Sequence, residues 1–239
     1  MIEWRHVRIA LGVAAVVFPS RHTLEQGVEE LGLRYPERAL VIPNPLQPAF
    51  AKPGLTVGEE RSGVAFVGSF NERKNPAALL RAAASTPDLE VTMQGRGPLE
   101  DELHALVAEL GIGDRVEFAP FVNPRKHVRA VIGVMRSAEL VCLPSRSESF
   151  GLVMIEALAA GAPVVGFGPT LREIAERTGI DVGEPVDDPT PENVGAAIEA
   201  VRSRTWDRER LRRAALAEFS AGSVARRYAK LLRSAARSH

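Results

Sequence analysis

The sequence is poor in residues that form disulfides or bind metals. Its single cysteine, Cys142, can form neither an internal disulfide nor a cysteine-cluster metal site. Its five histidines are scattered along the chain and fit no metal-ligand spacing. Both shortages favour a protein of the reducing cytoplasm without a metal centre. We expect Cys142, within ELVCLPS, to be a buried strand residue.

The chain also lacks net charge, because 30 lysines and arginines balance 30 aspartates and glutamates. Whole-chain charge therefore gives no argument for a nucleic-acid partner. The balance is uneven, since the stretch from Arg204 to His239 holds ten basic and three acidic residues. A solvated helix face is the first interpretation of this tail, and contact with an anionic membrane or an acidic partner is the alternative.

No long apolar run marks the amino-terminal region. The run from Ile9 to Phe18 has ten residues, which is too short to span a bilayer. Arg5 and Arg8 precede it as in a secretory signal, but no small-x-small cleavage site stands before Pro19. We therefore expect a cytoplasmic location, with peripheral attachment at the inner membrane face as the alternative that the basic tail suggests.

Short β-rich runs alternate with amphipathic segments of ten residues or more, which is the rhythm of βαβ units. The runs are apolar without strict alternation, as expected for a parallel sheet covered on both faces. The pattern predicts an α/β fold with a doubly wound, Rossmann-like parallel sheet. The predicted strands are AAVVF, ALVI, GVAFVG, LEVTM, RVEFA, ELVCL and PVVGF.

The stretch from Pro43 to Gly63 has four prolines and three glycines and is interpreted as a linker. It predicts a front piece at 1–45, a linker at 46–62, a Rossmann-like domain at 63–203 and carboxy-terminal helices at 204–239. A front piece of two strands and two helices buries too little surface to fold alone. It must pack on the main unit, on another copy or on a separate partner.

Two glutamates eight residues apart lie in SRSESFGLVMIEALAAGAPVV. Ser149 is a suitable N-cap, which predicts a helix over Phe150–Ala160 with Gly161 just past its end. Glu148 then precedes the helix, and Glu156 lies about two turns inside it among apolar residues. For an isolated pair of this kind, surface charge is the simpler interpretation.

The predicted helix start nevertheless suits a nucleotide ligand. Phe150, Gly151 and Leu152 would present unpaired amides at the positive end of the helix dipole, and Gly151 leaves room for a diphosphate. A half-buried Glu156 needs hydrogen-bond donors, which the two hydroxyls of a ribose would supply. In open parallel sheets such ligands bind beyond the carboxyl ends of the strands.

Together with neighbouring motifs, this segment closely resembles the retaining glycosyltransferase family 4, from Ala15 to about Leu232. The resemblance implies a GT-B architecture of two Rossmann-like domains facing a cleft. This chain would be mainly the carboxy-terminal, donor-binding domain, with a remnant of the amino-terminal domain ahead of it. The other motifs are VIPNP at Val41–Pro45, FVGSFNERKNPAALLRA at Phe66–Ala82 and QGRGPLEDEL at Gln94–Leu103.

The resemblance also implies roles for individual residues. Glu156 corresponds to the ribose ligand and Glu148 to the acid that touches the donor sugar. The amides of Phe150–Leu152 correspond to the diphosphate cradle, and Lys74 to the lysine that neutralises the leaving group. No metal is then required, and Asp187–Asp188 is interpreted as a surface turn. The donor would be a UDP-sugar or GDP-sugar, with no other cofactor.

The sequence departs from the family pattern at one donor-binding position. Family members commonly have arginine after the glycine of the VG strand, but Ser69 follows Gly68 here. Arg73, beside Lys74, is the candidate substitute. Retention in the family is attributed to front-face attack, with the leaving phosphate accepting the proton of the acceptor hydroxyl, so Glu148 is not assigned as a nucleophile.

Three hypotheses follow from the resemblance. The first is a metal-independent, retaining glycosyltransferase that a separate amino-terminal-half subunit or self-association completes. The second is a nucleotide-sugar-binding module without turnover. The third is a sugar-nucleotide isomerase or epimerase of similar fold. The spacing of Glu148 and Glu156 and the residues around them argue against it. The acceptor, whether glycan, lipid or small molecule, would be bound mainly by the other domain.

Overall fold

A computed structural model describes residues 15–31, 39–52, 61–120 and 128–237. Its elements alternate between strand and helix along most of the chain. The strands are β1 Val16–Phe18, β2 Ala39–Val41, β3 Val64–Ser69, β4 Val91–Arg96, β5 Val116–Ala119, β6 Leu140–Leu143, β7 Val164–Phe167 and β8 Gly183–Val186. The helices are α1 Arg21–Leu31, α2 Pro76–Ser85, α3 Glu100–Glu109, α4 Val128–Ser137, α5 Leu152–Ala159, α6 Gly168–Thr178, α7 Pro191–Arg202, α8 Arg208–Phe219 and α9 Ala221–Arg237.

The main sheet has six parallel strands in the order β5-β4-β3-β6-β7-β8. Strand β3 pairs with both β4 and β6, so the chain order reverses direction at β3. The central strands β6 and β7 are buried along their whole length, because their apolar side chains are covered on both faces. This confirms the predicted parallel α/β fold, and Cys142 is buried in β6 as expected.

The two faces of the sheet carry separate apolar cores. Helices α4, α5, α6 and α8 cover one face, and α2, α3 and α7 cover the other. Trp206, between α7 and α8, packs against both cores and donates its indole N–H to the carbonyl of Val201 at 2.9 Å. The chain thus passes from one face to the other around the edge of the sheet before it forms the last two helices.

The front piece packs on the main unit, which is the first of the three arrangements that the sequence left open. Strands β1 and β2 form a two-stranded parallel sheet of their own. Buried Ser20 donates to the carbonyl of Ser149 at 2.6 Å, and the amide of Arg21 donates to Glu173 of α6 at 2.7 Å. The first part of the predicted front piece, residues 1–14, lies outside the described residues.

The predicted linker is anchored to the main unit where it is described. A 3-10 turn at Pro48–Ala51 buries Phe50 in the core. Arg212 of α8 donates from Nη1 to the carbonyls of Phe50 at 2.9 Å and Ala159 at 2.5 Å, and from Nη2 to that of Lys52 at 3.2 Å. One buried guanidinium therefore joins the linker to the end of α5.

The sequence pattern predicts helix starts at Pro76 and Pro98 and a helix end before Gly111, and these boundaries are partly confirmed. Pro76 begins α2, and Gly111 follows α3 with a positive φ of 65°. Pro98 does not begin a helix, because it lies in a turn two residues before α3. Strand β8 was not predicted. Pro185 and Gly183 lower its strand propensity, and an edge position tolerates both residues.

The carboxy-terminal helix pair was predicted and is present as α8 and α9. All charged residues of α9 are basic, and its apolar side chains include the exposed Leu232 and Tyr228. Within the described ranges, no helix is both long and apolar enough to cross a membrane. The domain boundaries proposed from the sequence remain predictions.

Replacing Arg212 with methionine should destabilise the fold, because three carbonyl groups would lose a charged donor. We expect the free energy of unfolding in urea to fall by about 2–4 kcal/mol. Arg213→Met is the matched control, since the neighbouring Arg213 side chain is 68% exposed. It should change stability by less than about 0.5 kcal/mol. Equal effects of the two variants would contradict this role of Arg212.

Candidate functional site

The candidate site lies where the adjacent parallel strands β3 and β6 reach their carboxyl ends. The loop after β3 and the loop after β6 run side by side there, and the amide of Arg146 donates to the carbonyl of Arg73 at 2.8 Å. Ligands of open α/β sheets bind outside this edge, beside strands where the chain order reverses. The sequence-predicted residues Gly68 and Ser69 end β3 at the same edge.

An ion pair joins the two loops. Nζ of Lys74 donates to Oε1 of Glu148, and their side chains are 15% and 7% exposed. Buried Ser145 donates its hydroxyl to the same oxygen at 2.7 Å. The two residues predicted as catalytic, 74 positions apart in the sequence, are therefore in direct contact.

A tight turn fixes the position of Lys74. Its amide donates to the side-chain oxygen of Asn71 at 3.0 Å and lies 3.1 Å from the Asn71 carbonyl oxygen. Buried Asn75 then takes a left-handed conformation with φ of 50° and donates to the carbonyl of Pro189 at 3.0 Å. Asparagine tolerates this conformation better than most residues, and the turn directs the lysine towards the loop after β6.

Arg73 also reaches the Glu148 loop. Its Nη1 donates to the carbonyl of Ser147 at 3.0 Å and lies 3.5 Å from Oε2 of Glu148. Ser69 is exposed at the end of β3 and provides no positive charge. A second cation therefore lies beside Lys74, although the position after Gly68 lacks one.

Helix α5 begins two residues later than predicted. Its N-cap is Gly151, not Ser149, and φ of 73° at Gly151 explains why glycine is needed there. An added Cβ would lie 2.9 Å from Sδ of Met154 and 3.2 Å from Cγ2 of Thr170. At the other end, Gly161 has a positive φ of 79°, which confirms its predicted place just past the helix.

The start of α5 leaves backbone donors without acceptors. Among the described residues, no acceptor is found for the amides of Phe150, Gly151, Leu152 and Val153. Phe150 is buried against Phe219, which holds the start of the helix on the core. The Leu152 side chain is 42% exposed at the first helical position. These amides, at the positive end of the helix, could bind an anion.

Glu156 lies inside α5 and is only 6% exposed. Burial raises the pKa of its carboxyl to about 7, and a hydrogen bond from the Gln47 side chain partly opposes that rise. The sequence placed Glu156 within the helix, but its partner from the linker could not be read from one sequence. A carboxylate in this setting can accept further hydrogen bonds from hydroxyl groups.

Sequence reasoning missed four polar residues at or near the site. Ser145 and Ser20 each form a hydrogen bond described above, and the Oγ1 atom of buried Thr170 has no partner among the described residues. Ser145 ends the stretch ELVCLPS and begins the segment that holds the two glutamates, which was the only local signal. Gln47, Thr170 and Ser20 gave none, since each comes from a distant part of the chain.

The remaining site predictions concern metals. Within the part of the chain that the structure describes, no group of three histidine, cysteine, aspartate or glutamate side chains could hold a metal ion. Asp187 is exposed and pairs with Arg172, consistent with a surface turn at this position. The guanidinium lowers the pKa of Asp187 through their hydrogen bond.

The fold and the site together define a class. A parallel α/β sheet with a free helix start, a buried acid and paired charges at its carboxyl edge is the arrangement of nucleotide-binding α/β proteins. The family model described as "Glycosyl transferases group 1" matches residues 50–217. The chain belongs to this family of sugar-transferring enzymes, and the resemblance found in the sequence is confirmed.

Curated relatives with similar sequences are named D-inositol 3-phosphate glycosyltransferase. The protein of Mycobacterium sp. (strain KMS) is 44% identical over 138 residues, covering 55% of this chain and 30% of the relative. That of Mycolicibacterium smegmatis is 48% identical over 108 residues, covering 43% of this chain and 24% of the relative. The chain thus matches less than a third of the length of these relatives.

Solved glycosyltransferase structures share the fold. HepE of Anabaena, in complex with UDP and glucose, has a TM-score of 0.75 at 20% identity, covering 98% of this chain and 68% of its own. A glycosyltransferase from Rickettsia africae has a TM-score of 0.76 at 15% identity with the same coverages. At this identity the likeness supports the fold alone.

Glu156→Gln should stabilise the protein in the absence of ligand at alkaline pH. A pKa raised from 4.5 to about 7 means that folding disfavours the charged form by about 3 kcal/mol. The wild type should therefore lose stability relative to the variant as pH rises from 4.5 to 7, and the difference should then stay constant. Urea unfolding between pH 4 and pH 8.5 measures this difference.

The matched control is Glu102→Gln, which makes the same change at an exposed position of α3. It should show no comparable rise in stability with pH. A Glu156→Gln variant with wild-type stability at pH 8 would mean that the Glu156 carboxylate is not buried as described.

Proposed function

We propose that this chain is the donor-binding half of a metal-independent, retaining glycosyltransferase of GT-B architecture. It would move a sugar from a nucleoside-diphosphate sugar to an acceptor hydroxyl. The observation that carries this proposal is the convergence of Lys74, Glu148 and the free amides of α5 at one sheet edge, with Glu156 inside the same helix. Family membership supports sugar transfer as the reaction class.

The donor would extend along the start of α5. Its diphosphate would accept hydrogen bonds from the amides of Phe150, Gly151 and Leu152, and Glu156 would accept from the ribose hydroxyls. Glu148, in the loop ahead of the helix, would contact the transferred sugar. Gly68 and Ser69 would line the diphosphate at the end of β3, where Ser69 has room for a phosphate oxygen because it is exposed.

Fixed positive charge would stabilise the departing nucleotide. As the glycosidic bond breaks, the bonding electrons move to the diphosphate, whose negative charge grows. Lys74 and the helix amides would compensate this charge in place, and Arg73 would substitute for the family arginine missing at Ser69. This is the role that a divalent metal has in other transferases, so a metal is not required.

The contacts of Glu148 bear on how the anomeric configuration of the sugar would be retained. Oε1 of its carboxylate already accepts from Lys74 and Ser145, and Arg73 lies 3.5 Å from Oε2. A carboxylate neutralised in this way is a weak nucleophile. We therefore favour front-face attack, in which the leaving phosphate accepts the proton of the acceptor hydroxyl while the new glycosidic bond forms on the same face.

UDP is the first choice for the nucleotide and GDP the second. The structure of the similar HepE protein holds UDP and glucose, which supports UDP. The acceptor would be bound mainly by the amino-terminal domain of the GT-B architecture. The protein would work in the cytoplasm. The basic residues of α9 support peripheral contact with a membrane.

Calorimetric titration tests donor binding. The chain should bind UDP-glucose or its GDP counterpart, and Glu156→Gln should weaken that binding by about 10- to 100-fold, because charge-assisted hydrogen bonds to ribose are lost. Glu102→Gln, on an exposed face of α3, should bind as the wild type does. Unchanged affinity in Glu156→Gln would overturn the ribose assignment.

Release of UDP from UDP-glucose tests catalysis, for the chain alone and with a separately expressed amino-terminal domain of a relative. Lys74→Gln should slow release by about 10²- to 10³-fold with a smaller change in donor affinity. Lys230→Ala, at an exposed position of α9, is the control. EDTA should leave the rate unchanged, and proton NMR should show retained anomeric configuration. Donor binding without release in any combination would favour the non-catalytic module.

A further inference from the structure

We propose that Ser20, the residue just before α1, is a positioning residue of the diphosphate site. Its hydroxyl holds the peptide group between Ser149 and Phe150 in the orientation that directs the Phe150 amide at the donor. This inference rests on the proposed function, because it concerns the same amide. It adds a contribution to donor binding from the front piece, outside the main sheet.

A short hydrogen bond joins the front piece to the loop before α5. Ser20 is fully buried, and its hydroxyl lies 2.6 Å from the carbonyl oxygen of Ser149. A carbonyl oxygen can only accept, so the proton of this bond belongs to Ser20. The Ser20 oxygen in turn accepts from the amide of Thr23 at 3.1 Å. With a donated bond on one side and an accepted bond on the other, the hydroxyl has a defined direction.

The position of Ser20 is itself fixed by the main unit. The Thr23 hydroxyl donates to the Ser20 carbonyl at 3.0 Å, at the start of α1. The next amide along the chain, that of Arg21, donates to Oε2 of Glu173 in α6 at 2.7 Å. Glu173 is buried, and its other oxygen accepts from Arg177 at 2.7 Å. Helix α1 therefore begins at a point that α6 defines.

The peptide group between Ser149 and Phe150 carries this constraint to the donor. A trans peptide group is planar, so its carbonyl and its N–H point in opposite directions. A hydrogen bond that holds the Ser149 oxygen therefore also sets the direction of the Phe150 N–H. The same bond polarises the peptide group and makes the N–H a stronger donor. Direction and strength are the two properties that a bond to a phosphate oxygen depends on.

The residues on either side of Ser149 are held by other contacts. Glu148 is buried in its ion pair with Lys74, and Phe150 is buried against the core. The Ser149 side chain itself is exposed. With both neighbours fixed, the freedom that remains at this point is rotation of the peptide plane. The bond from Ser20 restricts that rotation.

The affinities for UDP-glucose and for uridine, which lacks phosphate, test this inference. Ser20→Ala should weaken binding of UDP-glucose by about 3- to 10-fold, because the Phe150 amide loses its fixed direction. It should leave the affinity for uridine unchanged. In amide-resolved NMR spectra, UDP-glucose should shift the Phe150 signal of the wild type by more than that of the variant. GDP-glucose and guanosine replace this pair of ligands if the chain prefers GDP.

Ser220→Ala is the matched control. Ser220 precedes α9 as Ser20 precedes α1, and its hydroxyl oxygen accepts from the amide of Ser223 at 3.3 Å. Both variants remove a hydroxyl that caps a helix, so both should lower the melting temperature by a few degrees. Ser220→Ala should nevertheless keep the wild-type ratio of the two affinities, because its hydroxyl bonds to Ser223 and not to the donor loop.

Ser20→Gly is the second variant, because glycine replaces a capping serine at little cost in stability. It also lacks the hydroxyl, so it should show the same selective loss even if Ser20→Ala does not fold. Wild-type affinity of the folded Ser20 variants for UDP-glucose would overturn this inference and leave the proposed function standing. An equal loss of affinity for UDP-glucose and uridine would do the same, since a purely structural role produces that result. If the wild type binds UDP-glucose no more tightly than uridine, the diphosphate site of the proposed function is itself wrong.

Discussion

The ion pair between Lys74 and Glu148 connects two loops that the sequence keeps 74 positions apart. It can form because β3 and β6 are neighbouring parallel strands, so the loops at their carboxyl ends meet. A buried pair of this kind contributes little net stability, but breaking it would leave a charge without a partner. It therefore fixes the loop that leads into α5, and with it the positions of the free amides and of Glu156.

The same region shows a conflict between stability and binding. Glu156 is buried among apolar residues, and its carboxyl group ionises only near neutral pH. Thr170, whose methyl carbon faces Gly151, is buried with a hydroxyl oxygen that has no partner among the described residues. Both the buried carboxyl group and the unpartnered hydroxyl are unfavourable for folding taken alone. Such features are expected where a protein keeps groups ready for a ligand.

The front piece and linker contribute to the site although they lie outside the main sheet. Ser20 donates to the carbonyl of Ser149, immediately before the amides of α5, and the Gln47 side chain in the linker opposes the rise in the pKa of Glu156. Arg212 joins the linker to the end of the same helix. Helix α5 is thus held at both ends by segments distant in sequence, and a change in their packing would alter the site.

Local sequence determined the alternation of strands and helices, because apolar runs and capping residues act over a few positions. All seven predicted strands are present, whereas β8 was not predicted because Gly183 and Pro185 weaken its strand pattern. The predicted start of α5 was wrong by two residues, because Ser149 is a residue type typical of N-caps but Gly151 is the N-cap in the structure. The carbonyl of Ser149 instead accepts a hydrogen bond from Ser20. Resemblance to a family indicated Glu148, Lys74 and Glu156. Only the tertiary structure decided that Lys74 and Arg73 converge on Glu148 and that Arg212 joins the linker to the end of α5, because these contacts depend on strand order and on the path of the linker.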